Sequence, residues 1–209
     1  SGQALSAMVV RTYFLDSVQG PDDAGNMTIK GKDVLARIEE RKAQAPVLSK
    51  GELFADINAS VTSFVASNAV EAEYTATGTI RISNEIMTYT GRATSTNGVT
   101  FTGVTRGTDN TTADEHAADA AVQQCLRYTD ISIDDAVSDL LTTYGNIGAT
   151  FLDTTNWATE VSSYLVSYLL TTLITRPTAV SSLVSQLQSQ ALFYIWWDER
   201  DALVKLKAI

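Results

Sequence analysis

Cysteine, histidine and proline are scarce in this chain of 209 residues, which has one Cys, one His and three Pro. A single cysteine, Cys125, makes neither an internal disulfide nor a thiolate zinc site. A single histidine, His116, leaves few routes to a metal centre or to an imidazole relay. The sequence also has no Walker loop and no G-x-G-x-x-G segment. These absences argue against most of the enzyme classes that can be recognised by a sequence motif. We also expect no metal and no cofactor.

Basic residues are also few, because 15 Lys and Arg stand against 24 Asp and Glu and give a formal net charge of −9. A surface of this sign repels phosphate backbones, so the composition disfavours nucleic-acid binding. The most apolar stretch, residues 161–174, is shorter than the roughly 20 residues that span a bilayer. We therefore expect a buried helix there and no membrane insertion. Apolar residues at 44% and charged residues at 19% indicate a folded, globular chain.

The N-terminal part of the sequence predicts two strands and a short helix. β-Branched and aromatic residues favour a strand over 8–18 and a second strand over 27–30. Asp33 is typical of a helix N-cap, and Pro46 ends the helix that follows. Residues 51–127 then contain short strand-like runs between turns rich in Asn, Gly and Ser. This pattern predicts a small antiparallel barrel or sandwich.

Helical periodicity begins after the β segment. Apolar residues three and four apart predict a helix over 133–144, with Ser132 and Asp135 as a capping box and Gly145 as its end. The same spacing predicts a second helix that begins at Thr155 or Asn156 and buries Trp157, Val161, Tyr164, Leu165, Tyr168 and Leu169. It also predicts a third helix that begins at Pro177 and buries Val180, Leu183, Val184, Leu187 and Ala191. The sequence after the third helix predicts a hairpin over 193–209 with an acidic turn.

The order of these elements places mixed α and β segments at both ends of the sequence and strands alone in between. We therefore expect an α+β fold in which residues 3–50 and 128–209 form one discontinuous domain, with helices packed on a small sheet. Residues 51–127 form an inserted all-β module. Ser1-Gly2 is typical of a cleaved tag, and the alternating run 204–209 is typical of a strand, so we expect a piece of a longer polypeptide.

Several side chains could in principle act in catalysis or metal binding, but each also fits an ordinary structural role. The polar surroundings of His116, just before a strand, favour a hydrogen-bonding or packing role over catalysis. Arg106 lies between two turns, where Asp109 or Asp114 could bind it, and an exposed pair of this kind contributes little. The acidic residues around His116 lack the spacing and the glycine of an EF-hand loop. We expect no catalytic residues and no metal ligands.

Aromatic side chains favour a role in protein binding. Tyr and Trp supply rigid, amphipathic contact area. Trp196 and Trp197 are adjacent in a predicted strand, so one should face the core and the other a protein contact. The candidate interaction residues are Tyr89, Arg106, Trp196 and Trp197.

Segments along nearly the whole chain carry a resemblance to a known family. They are residues 11–22 (RTYFLDSVQGPD), 28–36 (TIKGKDVLA), 41–46 (RKAQAP), 80–91 (IRISNEIMTYTG), 101–107 (FTGVTRG), 110–113 (NTTA) with His116, 180–187 (VSSLVSQL) and 193–200 (FYIWWDER). The first three resemble tail proteins of long-tailed, siphovirus-like bacteriophages. The middle three are similar to a small β module of phage tail and baseplate proteins, and the last two resemble the helix and hairpin of tail hub proteins. One departure is Ala191-Leu192, where a glycine is expected to end the third helix.

The resemblance implies a structural virion protein without catalysis, a hub or baseplate component that joins the tail tube to a central fibre or spike. The implied partners are further copies in a trimeric ring, the tail tube or distal tail protein, and the fibre or spike. The implied location is the tail tip, with assembly in the host cytoplasm. Residues 3–50 and 128–209 would form the hub-type domain, and residues 51–127 an outward decoration in which His116 is structural.

Two other functions remain open from the residues. A receptor- or carbohydrate-binding module would use Trp196, Trp197 or Tyr89 as a stacking platform. A tail-associated hydrolase would use acidic pairs such as Asp198 and Asp201.

Overall fold

Short strands make up most of the regular structure, because Thr, Val and Ile are frequent between turns formed by Asn, Gly and Ser. The computed structural model describes residues 8–209. Its strands are β1 (Phe14–Gln19), β2 (Thr28–Lys32), β3 (Gln44–Ala45), β4 (Glu52–Leu53), β5 (Ser63–Ser67), β6 (Gly78–Ile82), β7 (Glu85–Tyr89), β8 (Gly91–Ser95), β9 (Gly98–Thr102), β10 (Thr105–Thr108), β11 (Val122–Gln124), β12 (Leu126–Ser132), β13 (Leu169–Ile174), β14 (Thr178–Ala179), β15 (Phe193–Asp198) and β16 (Leu203–Ala208). Its α-helices are α1 (Ile133–Asp139), α2 (Thr154–Tyr164) and α3 (Val180–Ala191).

The chain forms two compact units. The mixed unit comprises the chain up to Ala43, Ile131–Leu170 and Ala179–Ile209, and the β unit comprises Gln44–Asp130 and Thr171–Thr178. Helices together with several small antiparallel sheets confirm the α+β fold class. Residues 3–7 of the predicted discontinuous domain lie outside the described residues.

The β unit contains two four-stranded antiparallel sheets, ordered β4-β5-β9-β8 and β10-β7-β6-β11. Side chains from both sheets, among them Phe101 and Ile80, belong to one buried apolar cluster. Along one edge, Leu53 N donates to the Ala120 carbonyl (2.9 Å) and Val122 N donates to the Gly51 carbonyl (2.8 Å). Apart from these edge contacts, the strands pair as two four-stranded sheets, and a closed barrel is not seen in the part of the chain that the structure describes.

The turn between β8 and β9 shows how local chemistry sets the register of these sheets. Gly98 has a φ of +130°, a conformation that L side chains rarely adopt. A Cβ at this position would lie 2.0 Å from the carbonyl oxygen of Ala66 on β5. Glycine is therefore required where β9 begins to pair with β5.

The core of the mixed unit lies between its helices and the β15–β16 hairpin. Trp157 of α2 is 1% exposed, and its Nε1 donates to the Val204 carbonyl of β16 at 3.0 Å. The predicted cap of α1 is confirmed, because Ser132 Oγ accepts from Asp135 N at 3.4 Å and donates to its carboxylate at 3.0 Å. The helix continues into a π-helical turn and ends at Gly145, as predicted.

The second predicted helix is wrong in its C-terminal half. α2 ends at Tyr164, and Leu169–Ile174 is a strand. Trp157 and Val161 are buried, whereas Tyr164, Tyr168 and Leu169 are exposed and Leu165 is only partly buried. Thr171, Thr172 and Ile174 are β-branched and prefer an extended backbone, which apolar content alone does not reveal. None of the helices within residues 8–209 is long and apolar enough to cross a membrane.

The third predicted helix is confirmed. Val180, Leu183, Val184, Leu187 and Ala191 of α3 are buried, as the spacing predicts. The residue that ends the helix is Leu192, which has a φ of +53° where a glycine is usual. The hairpin that follows pairs β15 with β16 in antiparallel register, also as predicted.

Candidate functional site

A buried ionic cluster lies in the β unit around Glu85. This residue begins β7 and is 2% exposed. Arg106 of β10 donates from Nε to Glu85 Oε1 and from Nη2 to Oε2, both at 2.8 Å. His116 Nε2 lies 2.8 Å from the same Oε2. The bidentate pairing fixes the plane of the guanidinium against the carboxylate.

Backbone groups complete the hydrogen bonding of this cluster. Gly107 N donates to Oε1 of Glu85 at 2.9 Å, and Asp114 N donates to Oε2 at 3.1 Å. The remaining guanidinium donors of Arg106 reach the backbone carbonyls of Asn58 and Asp114. The cluster therefore ties β7, β10 and the loop that follows β10 into one arrangement in which the buried charge is fully hydrogen-bonded.

Two of the sequence predictions concern residues of this cluster. The expected hydrogen bond of His116 is present, because its side chain is 6% exposed and lies against Glu85. The expected partner of Arg106 is wrong, because its carboxylate partner is Glu85 and neither Asp109 nor Asp114. Asp109 is instead paired with Arg127 at 2.6 Å.

The cluster should make the stability of the β unit sensitive to acid. Burial raises the pKa of Glu85, but hydrogen bonds from Arg106, His116 and the backbone outweigh it and lower the pKa to about 2 from its ordinary 4.5. The folded state therefore gains stability above the ordinary pKa and loses it as pH falls towards about 2. We expect the free energy of unfolding of wild type, measured in urea at several pH values, to fall more steeply below about pH 5 than that of Glu85→Gln. Equal slopes would contradict this assignment.

The acidic residues suggested for hydrolysis lie at the β15–β16 turn. Asp198 accepts hydrogen bonds from the backbone N of Arg200 at 3.0 Å and of Asp201 at 3.2 Å. Asp201 pairs with Lys205 at 2.8 Å. Both acids thus stabilise the turn.

The remaining candidates for reactivity are the single cysteine and any group of metal-binding side chains. Cys125 is buried, and burial raises the pKa of its thiol to about 12. Among residues 8–209, no group of three or more His, Cys, Asp or Glu side chains is arranged to hold a metal ion.

Three of the four predicted interaction residues are in the interior. Tyr89 is 2% exposed, and its hydroxyl lies 2.8 Å from Gln124 Oε1. The Arg106 side chain is 6% exposed within the ionic cluster. Trp197 is 7% exposed, and its Nε1 donates to the Thr12 carbonyl at 3.0 Å. These side chains stabilise their own units and present no contact surface, which corrects the prediction for all three.

The fourth residue, Trp196, lies on the opposite face of β15 from Trp197, as the alternation predicts. Trp196 is 37% exposed and packs beside Tyr194, with ring centroids 5.1 Å apart. The strand register places Lys205 opposite Trp196 and Lys207 opposite Tyr194 on β16. The exposed face of the β15–β16 hairpin thus combines two aromatic rings with two lysines.

An apolar surface that the sequence did not predict is on the β1–β2 hairpin. Val18 pairs with Ile29 and Leu15 pairs with Gly31, so Leu15, Val18 and Ile29 share one face. These side chains are 68%, 47% and 69% exposed, and Met27, two residues before Ile29, is 58% exposed. Lys30 projects from the other face. We call Leu15, Val18, Met27 and Ile29 the hairpin face.

A β-bulge explains why sequence reasoning missed this surface. The register of β1 shifts between Leu15 and Ser17, so no residue of β2 lies directly opposite Asp16 in the strand pairing. Leu15 and Val18 therefore reach the same side although they are three residues apart, which breaks the alternation that marks an amphipathic strand. The base of the hairpin is anchored by Phe14, whose ring packs 5.3 Å from Phe151.

Comparison with protein-family models, curated proteins and solved structures finds no match to this chain.

Proposed function

We propose that this chain is a structural component of a bacteriophage tail, a hub or baseplate protein that joins the tail tube to a central fibre or spike. It acts by binding other proteins and not by catalysis. The observation that supports an assembly role most strongly is the hairpin face, where four large apolar side chains stand together in solvent. The phage assignment itself depends on the resemblance of the sequence segments.

The hairpin face supports protein binding for a physical reason. A two-stranded hairpin is marginally stable in water by itself, and every residue of β2 is exposed. Exposed apolar side chains are ordinary when scattered, but a contiguous group usually marks an interaction site. Burial of such side chains against a partner would stabilise the hairpin and supply binding free energy together.

The domain organisation in this proposal follows the resemblance. Residues 3–50 and 128–209 form the hub-type domain, and residues 51–127 form an inserted decoration whose two sheets make a small sandwich. The compactness of the β unit and the shared apolar cluster of its sheets support this division. The proposed partners are other copies in a trimeric ring, the tube or distal tail protein, and the fibre or spike.

Labelling of intact particles tests the proposal. Antibodies raised against the chain, coupled to gold and applied to purified virions, should mark the tail tip in electron micrographs. Antibodies against an unrelated protein of similar charge provide the control for background. Labelling of heads or necks, or particles that lack the chain, would contradict the proposal.

A second candidate function is recognition of a surface carbohydrate, which the exposed Tyr194 and Trp196 rings favour. A glycan array separates the two functions. Dose-dependent binding that Trp196→Ala abolishes would favour the carbohydrate module, whereas the assembly role predicts no such binding.

A further inference from the structure

The turn between β8 and β9 contains the only asparagine of the chain that a glycine follows. Asn97 and Gly98 are adjacent, whereas the other seven asparagines precede larger residues. The strand register pairs Ser95 with Gly98, so Thr96 and Asn97 form a loop of two residues. Asn97 is exposed in this loop. Its side-chain amide therefore lies in solvent beside a backbone nitrogen that no side chain of the following residue shields.

The surroundings of the other asparagines differ from those of Asn97 in one of two ways. Four side chains are held by hydrogen bonds to neighbouring groups, and they belong to Asn26, Asn58, Asn68 and Asn156. The remaining three, Asn84, Asn110 and Asn146, precede Glu85, Thr111 and Ile147. Each of those following residues has a side chain beside the backbone nitrogen that would react. Asn97 thus combines an exposed carboxamide with an unshielded neighbouring nitrogen.

Ring closure at such a pair needs no enzyme, and water is the only further reactant. The backbone nitrogen of Gly98 attacks Cγ of Asn97, the bond from Cγ to the amide nitrogen breaks, and ammonia leaves with the proton of the Gly98 nitrogen. Water then opens the succinimide ring at either carbonyl. Opening at Cγ gives aspartate, and opening at the main-chain carbonyl gives isoaspartate, in which the main chain continues through Cβ and Cγ. No oxidant or reductant takes part.

We propose that Asn97 is a site of spontaneous deamidation and that its isoaspartate product displaces the start of β9. Isoaspartate adds one carbon to the main chain before Gly98. A Cβ on Gly98 would lie 2.0 Å from the carbonyl oxygen of Ala66 and 3.0 Å from Cα of Ser67. Because this chain segment closes one side of Gly98, the longer loop moves Gly98 out of its pairing with Ser95. This modification goes beyond the proposed function and does not depend on it.

The start of β9 leads directly into the core of the β unit. Val99 pairs with Ala66 and is 1% exposed, and Phe101 pairs with Phe64 and is 0% exposed. β9 lies between β5 and β8 in its sheet. Displacement of Gly98 therefore weakens hydrogen bonds on both sides of the strand, whereas ordinary aspartate adds a charge to an unchanged main chain. The two products should thus differ in their effect on the β unit.

Peptide mapping by mass spectrometry tests the site. Trypsin cleaves after Arg92 and Arg106, and the peptide between them contains Asn97 as its only side-chain amide. After incubation of the folded 209-residue chain at mildly alkaline pH, this peptide should gain the mass difference between an amide and an acid. Its conversion should exceed that of every other asparagine several-fold. Asn97→Ser cannot form the ring, so its peptide is the matched control and should keep its mass.

Two results of the mapping would overturn the site. One is a peptide that keeps its mass in the folded wild type, or that changes only when the chain is unfolded in urea. The other is conversion of a second asparagine to the same extent as Asn97.

Hydrogen exchange measured by mass spectrometry tests the structural consequence. The isoaspartate form, separated by chromatography and identified with an isoaspartate methyltransferase, should exchange the amides of residues 99–102 about fivefold faster than wild type or more. This is the change expected for the loss of about one backbone hydrogen bond. Freshly prepared Asn97→Asp has the same charge on an unchanged main chain and should exchange like wild type. Equal exchange in the isoaspartate form and in Asn97→Asp would overturn the displacement of β9.

Discussion

Arg106→Met is expected to destabilise the β unit by about 3–5 kcal/mol, because it leaves the buried carboxylate of Glu85 without its bidentate partner. Methionine fills much of the same volume, so the loss reports on the charge pair more than on packing. His116 and two backbone N–H groups would still contact Glu85, but a single imidazole does not replace two charged donors.

Arg127→Met is the matched control. Arg127 pairs with Asp109 in the same unit, but both side chains are partly exposed, at 36% and 27%. An exposed pair of this kind contributes about 0–1 kcal/mol. Hydrogen exchange measured by mass spectrometry over residues 44–130, as a function of urea, would give both values. Equal losses for the two variants would contradict a special role for the buried cluster.

Trp197→Ala is expected to destabilise the mixed unit by about 3–5 kcal/mol, whereas Trp196→Ala should change its stability by less than about 1 kcal/mol. The two residues are neighbours in β15 but lie on opposite faces, at 7% and 37% exposure. Trp197 packs against Phe14 and Phe151, and its indole N–H binds the backbone of Thr12. Its loss therefore removes both core volume and the anchor of the β1–β2 hairpin.

Tryptophan fluorescence during urea unfolding measures this effect, since all three tryptophans, Trp157, Trp196 and Trp197, belong to the mixed unit. Limited proteolysis of Trp197→Ala should also cut the β1–β2 hairpin faster than in wild type, because Phe14 loses part of its packing. Similar stabilities of the two alanine variants would show that the hairpin does not depend on Trp197.

The sequence predicts best those elements in which the spacing of the apolar residues stays constant from end to end. Val180 to Ala191 are spaced for a helix face, and every predicted position in α3 is buried. The strands of the β unit are bounded by turn residues, which is why short strands were expected over residues 51–127. The stretch 161–174 lacked such a marker, because α2 gives way to β13 inside one apolar run.

The surfaces and the ionic cluster depend on information that the local sequence does not contain. Glu85 and Arg106 are 21 residues apart, and only the pairing of β10 with β7 brings them together. The hairpin face depends on the bulge at Asp16, and no turn residue marks the position of that bulge in the sequence. Burial of Tyr89 follows from the sharing of one core by two sheets, so its aromatic character alone was a poor guide to exposure.

A reconstruction of the tail tip by electron cryomicroscopy would test the tail assignment most directly. The proposed function predicts density at the tip into which the mixed unit and the β unit each fit as rigid bodies, with the hairpin face of each copy covered by a neighbouring subunit. A tail tip into which neither unit fits, or particles whose only matching density lies in the head or neck, would contradict it.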